Sequence, residues 1–213
     1  LSFSRGALID TMFTLALLLG LTFATSRSAK LRRRIATSAI VGVALFAALA
    51  AIVLSVPAVR ELALQRATLT EDYDSGEQGR FGNQIRSIPM LLDRPLGFGP
   101  FRFAQYFPAD PHEVFLSAFA SFGWAGGIAF AVFVALTLYV GVVFAFRRAR
   151  TQTEFIGVFS AMLPQLLQGV QIDTMHWRHL FLLIGCLFGL AAAAQRETSA
   201  APALIDDDLA AVA

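Results

Sequence analysis

The chain has a single cysteine in 213 residues, and only 15% of its residues are charged. The lone Cys186 excludes an internal disulfide. The charge content lies well below the roughly 25% of an ordinary soluble domain. Neither a G-x-x-x-x-G-K-[ST] nor a G-x-G-x-x-G spacing occurs, so a nucleotide-cradling loop of either kind is excluded. The nearest approach to a metal set is Asp173, His176 and His179, three scattered ligands without a fourth. No metal and no cofactor is expected, and no internal repeat stands out.

What the chain has in abundance is apolar sequence, 56% of its residues. Several runs reach the roughly 20 residues needed to cross a bilayer. They are Gly6 to Thr25, Ile35 to Val56, Val114 to Phe146, Phe155 to Ile172 and the shorter Leu180 to Ala194. The third is too long for one straight span. A break at Gly123, Gly126 and Gly127 would divide it into an interfacial helix and a span from about Trp124. The expected fold is therefore all-α, a polytopic transmembrane helix bundle of about five spans. A large extracytoplasmic loop, about residues 57–113, would contain short interfacial helices.

Charge placement orients the bundle. Arg27, Lys30, Arg32, Arg33 and Arg34 follow the first span, Arg147, Arg148 and Arg150 the third, and Arg196 the fifth. With all three groups cytoplasmic, the positive-inside rule is satisfied. Arg5, the 57–113 loop and the turn Asp173 to Arg178 then face outward. That loop mixes arginines with carboxylates, so it is no polybasic surface for nucleic acid or lipid. A signal peptide fits the first run poorly. The chain reads as the C-terminal part of a larger polytopic protein, with residues 1–196 as the membrane domain and 197–213 as a disordered cytoplasmic tail.

Several outward-facing residues carry possible chemistry. Asp110 suits a helix N-cap, Pro111 the first helical position and Glu113 the third, a D-x-x-E variant of the capping box. His112 would then sit in the first turn, near unsatisfied backbone N–H groups that oppose its protonation, while Asp110 and Glu113 favour it. It either starts the helix or takes a proton from a sugar hydroxyl. Arg5, Arg80 and Arg178 either hold phosphate in bidentate fashion or snorkel and pair with local carboxylates. For Arg60, Arg66 and Arg86 the second reading is preferred. Pro95-Leu96-Gly97-Phe98-Gly99-Pro100 is turn-forming and would fold the loop back onto the membrane face. In the membrane, Asp10 and the stripe Gln165, Gln168, Gln171, with Pro164 as a kink, offer either interhelical hydrogen bonds or a substrate pathway of a transporter.

Taken in order, these elements resemble a known family. Leu1-Ser2-Phe3-Ser4-Arg5-Gly6 resembles the S-x-S-R-G element of O-antigen ligases and related polymerases. Gly79-Arg80 with Arg94-Pro95-Leu96-Gly97-Phe98-Gly99 resembles their G-R … P-L-x-G-x-G stretch. Pro111-His112-Glu113-Val114-Phe115-Leu116 with Phe122-Gly123-Trp124-Ala125-Gly126-Gly127 resembles their H-N-x-x-L … G-x-x-G element, with Glu113 in place of the usual Asn. The resemblance implies transfer of a glycan from undecaprenyl diphosphate to lipid A–core, to a growing polysaccharide or to a protein hydroxyl. The reaction would be metal-independent and inverting, at the periplasmic face of a bacterial inner membrane. It further implies that Arg5 and Arg80 hold the diphosphate, with Arg178 a further candidate, and that His112 assists the acceptor hydroxyl. Glu113 and Asp110 would support it. The expected partners are the lipid-linked glycan, its acceptor and membrane lipid, with no nucleic acid.

Overall fold

The computed structural model describes residues 5–66, 80–107 and 113–210. Seven α-helices are found there: α1 (Arg5–Thr25), α2 (Ala29–Leu54), α3 (Pro57–Arg66), α4 (Arg80–Leu92), α5 (Val114–Ala145), α6 (Gln152–Gln168) and α7 (Arg178–Ala210). A single 3-10 turn spans Phe103–Gln105, and no strand occurs among the described residues. The protein is an all-helical membrane bundle.

Among the described residues four helices, against an expectation of about five spans, are both long and apolar enough to cross a bilayer: those within α1, α2, α5 and α7. The difference lies in α6, which ends at Gln168 after 17 residues. That is about 25 Å of helix against a core of about 30 Å. The run continues to Ile172, but its last residues form a turn, with the amides of Val170 and Ile172 bonding back to Leu167 and Gln168. Gln171 therefore lies beyond the helix, and the glutamine stripe is cut short. Pro164 sits inside α6.

Short as it is, α6 is the hub. It packs against α1, α5 and α7, burying Phe155, Ile156, Phe159, Met162 and Leu166. From α7 come Leu180, Ile184, Leu187 and Ala191, a three-and-four spacing that lines one helical face. Leu18 and Leu21 of α1 close the cluster. Gly141 of α5 leaves the space that the Phe159 ring fills. By contrast α2 buries none of its residues. Apolar side chains facing lipid need no protein partner, because lipid tails are as apolar as they are.

The arginine-rich turns share one end of the bundle. The α1–α2 and α5–α6 turns together wall one cavity there. On the same side Arg147 donates to Thr198 Oγ1 at 2.9 Å, and the Arg150 amide to Glu197 Oε2 at 3.0 Å. Helix α7 continues past Glu197 to Ala210.

Candidate functional site

The opposite end of the bundle is organised around the break in α5. Gly123 has φ 68° and ψ −168° inside an otherwise continuous helix, a combination essentially confined to glycine. The break frees a carbonyl and an amide that would otherwise be bonded along the helix. The loop after α4 takes both. Phe98 N–H donates to Ala120 O at 2.7 Å, Gly99 N–H to the same oxygen at 3.3 Å, and Trp124 N–H to Pro95 O at 2.9 Å. Gly97, with φ 71°, lies against this kink, and a Cβ there would stand 2.6 Å from Ala120 O and 2.8 Å from Gly123 N. The P-L-G-F-G turn is thus keyed backbone to backbone into the F-G-W segment. Gly126 and Gly127, expected to share in the break, are helical and accommodate the Phe122 and Phe119 side chains.

A small aromatic core fixes this loop. Leu91, Phe98, Phe103, Phe107, Leu116 and Ala120 are buried together, and the Trp124 indole donates to Leu91 O at 2.9 Å. Arg94 lies 4.8 Å from the Tyr106 ring centroid and donates to its hydroxyl at 3.0 Å. Arg86 lies over the Phe107 ring, 5.9 Å from its centroid.

The start of α5 differs from expectation. Glu113 itself is the N-cap, with extended φ −116° and ψ 128°, so neither Asp110 as cap nor His112 in the first turn holds. His112 precedes the cap in the chain. Both carboxylate oxygens of Glu113 are engaged, Oε1 accepting from Phe115 N–H at 3.0 Å and Oε2 from Leu116 N–H at 2.7 Å. Val114 N–H donates to Gly169 O at 2.8 Å, across to the α6–α7 loop. The backbone donors expected to be unsatisfied at this helix start are therefore taken by the protein itself. Asp110, Pro111 and His112 lie outside the described residues. So do the side chains of Arg5 and Arg80, whose backbones begin α1 and α4.

The α6–α7 loop makes a contact with α5 that sequence reasoning missed. Ser117 donates to Asp173 Oδ2 at 3.0 Å, and Asp173 Oδ1 accepts from Met175 N–H at 2.9 Å. His176 Nδ1 stands 3.8 Å from Asp173 Oδ2, while the His179 ring stacks on Trp177 at 5.2 Å. The nominal metal trio does not converge, and no metal-competent cluster occurs among the described residues. Ser117 follows Glu113 by four, one turn along the same helix face. Its partner 56 residues away has no signal in the sequence.

Burial pushes the Glu113 carboxyl above its ordinary value of 4.5, and nearby Asp173 adds to the rise, while the two backbone N–H bonds act the other way. The folded state then holds its proton more tightly than the unfolded chain. Between 4.5 and the raised value, stability falls as pH increases. Glu113→Gln is expected to flatten that fall in detergent melting curves taken from pH 4 to pH 8. An unchanged slope would show that Glu113 is not its source. Glu113→Ala, which removes the cap, is expected to cost about 0.5–2 kcal/mol at neutral pH.

Helix direction collects the remaining candidates. Helices α1, α5 and α7 each begin away from the arginine-rich turns and run towards them. The starts at Arg5, Glu113 and Arg178 thus share one end of the bundle, and α4, headed by Arg80, packs on α5. The Arg178 side chain is exposed, with no ion pair among the described residues. A family model described as O-antigen ligase matches residues 1–131.

The chain belongs to the O-antigen ligase family. The match covers all three elements that carried the resemblance, from the Arg5 segment through the P-L-G-F-G loop to the glycines of α5. No curated protein and no solved structure matches significantly. This O-antigen ligase family member is a bacterial membrane protein of the glycan-transferring kind, with lipid-linked polysaccharide as its general class of substrate.

Proposed function

We propose that the protein transfers a glycan from undecaprenyl diphosphate to a hydroxyl of lipid A–core or of a growing polysaccharide, at the periplasmic face of the bacterial inner membrane. The observation that carries this reading is the family match over residues 1–131. Supporting it are the helix starts that bear Arg5 and Arg178, at one end of the bundle, and the packing of α4, which Arg80 heads, against α5. In this reaction the acceptor oxygen attacks the anomeric carbon as the bond from that carbon to the diphosphate oxygen breaks. The electron pair leaves with undecaprenyl diphosphate. Arg5, Arg80 and Arg178 hold the diphosphate and offset its growing charge. His112 takes or orients the acceptor proton. Glu113, held by two backbone amides, supports the segment rather than acting as the base, with Asp110 as a further supporting residue.

Arg5→Ala and Arg80→Ala, expressed in the native membrane, test this reading through the banding pattern of surface glycan. Each is expected to lower transfer by about tenfold or more. Missing glycan on lipid A–core with lipid-linked glycan accumulating identifies a ligase. Loss of long chains with single repeats retained identifies a polymerase. If both variants behave as wild type while Asp10→Asn and Gln165→Ala abolish the glycan, the transfer site is refuted and a transport pathway through the bundle replaces it.

A further inference from the structure

The arginine-rich end of the bundle carries a concave feature that glycan transfer does not use. A cavity of about 660 Å³ opens between the α1–α2 and α5–α6 turns, walled among others by Ser26, Arg27, Arg32, Phe146, Arg148 and Gln152. None of its three arginines has a carboxylate partner among the described residues. Arg32 is held in place: its Nε donates to Ser26 O at 2.8 Å, and its guanidinium lies 5.7 Å from the Phe23 ring centroid. That leaves its two terminal NH₂ groups for an oxyanion. Ser26 is only 8% exposed, and its hydroxyl is enclosed without a hydrogen-bond partner. A buried, unsatisfied hydroxyl costs free energy, which an acceptor entering the cavity would offset. Helices α2 and α6 begin at this end, adding the positive ends of two helix dipoles.

We propose that this cavity is a headgroup site for an anionic phospholipid, its phosphodiester held by Arg32 and Arg148 with the Ser26 hydroxyl beside them. A lipid is favoured over free phosphate by position. The cavity lies where the membrane-spanning α1 and α5 end, and the exposed apolar residues Phe23 and Phe146 stand beside it. The phosphate would thus sit at headgroup depth with its acyl chains along the bundle. Arginines that serve only to orient the chain would act through their number rather than their position. Arg33 and Arg34 provide the comparison, because they line a separate groove on α2.

The test is retention of phosphatidylglycerol, with phosphatidylcholine as reference, by the full chain in neutral-detergent micelles, counted by native mass spectrometry. Arg32→Gln with Arg148→Gln is expected to lower phosphatidylglycerol retention by about tenfold or more, and Arg33→Gln with Arg34→Gln by less than about twofold. Arg32→Lys keeps the charge and loses the planar fork, so an intermediate loss of about threefold is expected even if the double variant fails to accumulate. Equal losses from the two pairs, or no preference for phosphatidylglycerol in the wild type, would overturn the proposal. So would full retention by Arg32→Lys. Complete displacement of the lipid by millimolar inorganic phosphate would overturn the headgroup assignment in favour of a free-anion site.

Discussion

Replacing His112 by alanine is expected to lower glycan transfer at least about a hundredfold, the usual contribution of a positioned general acid or base. The other polar groups at the start of α5 are already engaged. Glu113 uses both carboxylate oxygens on the amides of Phe115 and Leu116. Asp173 is engaged by Ser117 and by the Met175 amide. The helix-end donors that might have held an anion are spent on Glu113 and Gly169. On the proposed reading the proton work falls to His112, the residue before the cap. Purified protein with a lipid-linked donor separates this role from a structural one. His112→Ala should reduce kcat with little change in KM for the donor, and should leave the melting temperature within about 2 °C of wild type. A variant of normal stability with transfer within about threefold of wild type would end the assignment.

Gly123→Ala is the second large effect, and it acts on the fold. Backbone strain at φ 68° and ψ −168° alone costs an alanine on the order of 1–3 kcal/mol. The new Cβ also meets Pro95 O and stands 2.7 Å from the Leu96 carbonyl carbon. These are backbone atoms, which cannot swing aside as a side-chain end can. The substitution must either expel the P-L-G-F-G turn, which orphans the Ala120 and Trp124 backbone groups, or straighten α5, which pairs those two with each other but orphans Phe98 N–H and Pro95 O in the turn. A loss of about 3 kcal/mol or more, or failure to accumulate in the membrane, is expected. Gly157→Ala is the matched comparison, since a Cβ there meets nothing within 4 Å. In a helix it should be neutral or stabilising by up to about 1 kcal/mol. Thermal unfolding in detergent measures both. Gly123→Ala melting with wild type would show that the keyed loop does not hold this end of the bundle.

Much of the bundle was legible because hydropathy and glycine placement are local properties of the chain. Long apolar runs must become helices in lipid, where no water satisfies the backbone, and four spans came from runs recognised as such. The break in the Val114–Phe146 run was also legible. Of its three glycines, only the one that leaves the helical conformation could be named once its neighbours were known. Less legible was the cap of α5. Asp110 and Glu113 both suit a helix start, and the choice falls to Glu113 where Val114 N–H reaches Gly169 in the distant α6–α7 loop.

By itself, then, the sequence determined the class of molecule, the helices and the end of the bundle that carries the arginine turns. It also supplied the ordered motifs that place the chain in the O-antigen ligase family. Only the tertiary structure decided that α6 is the buried hub, that Gly97 keys into the break at Gly123, and that Ser117 meets Asp173. The reason is physical. Hydropathy and helix punctuation act over a few residues, so they can be read along the chain. A backbone-to-backbone approach, or a hydrogen bond between residues 56 apart, exists only after packing has brought distant segments together.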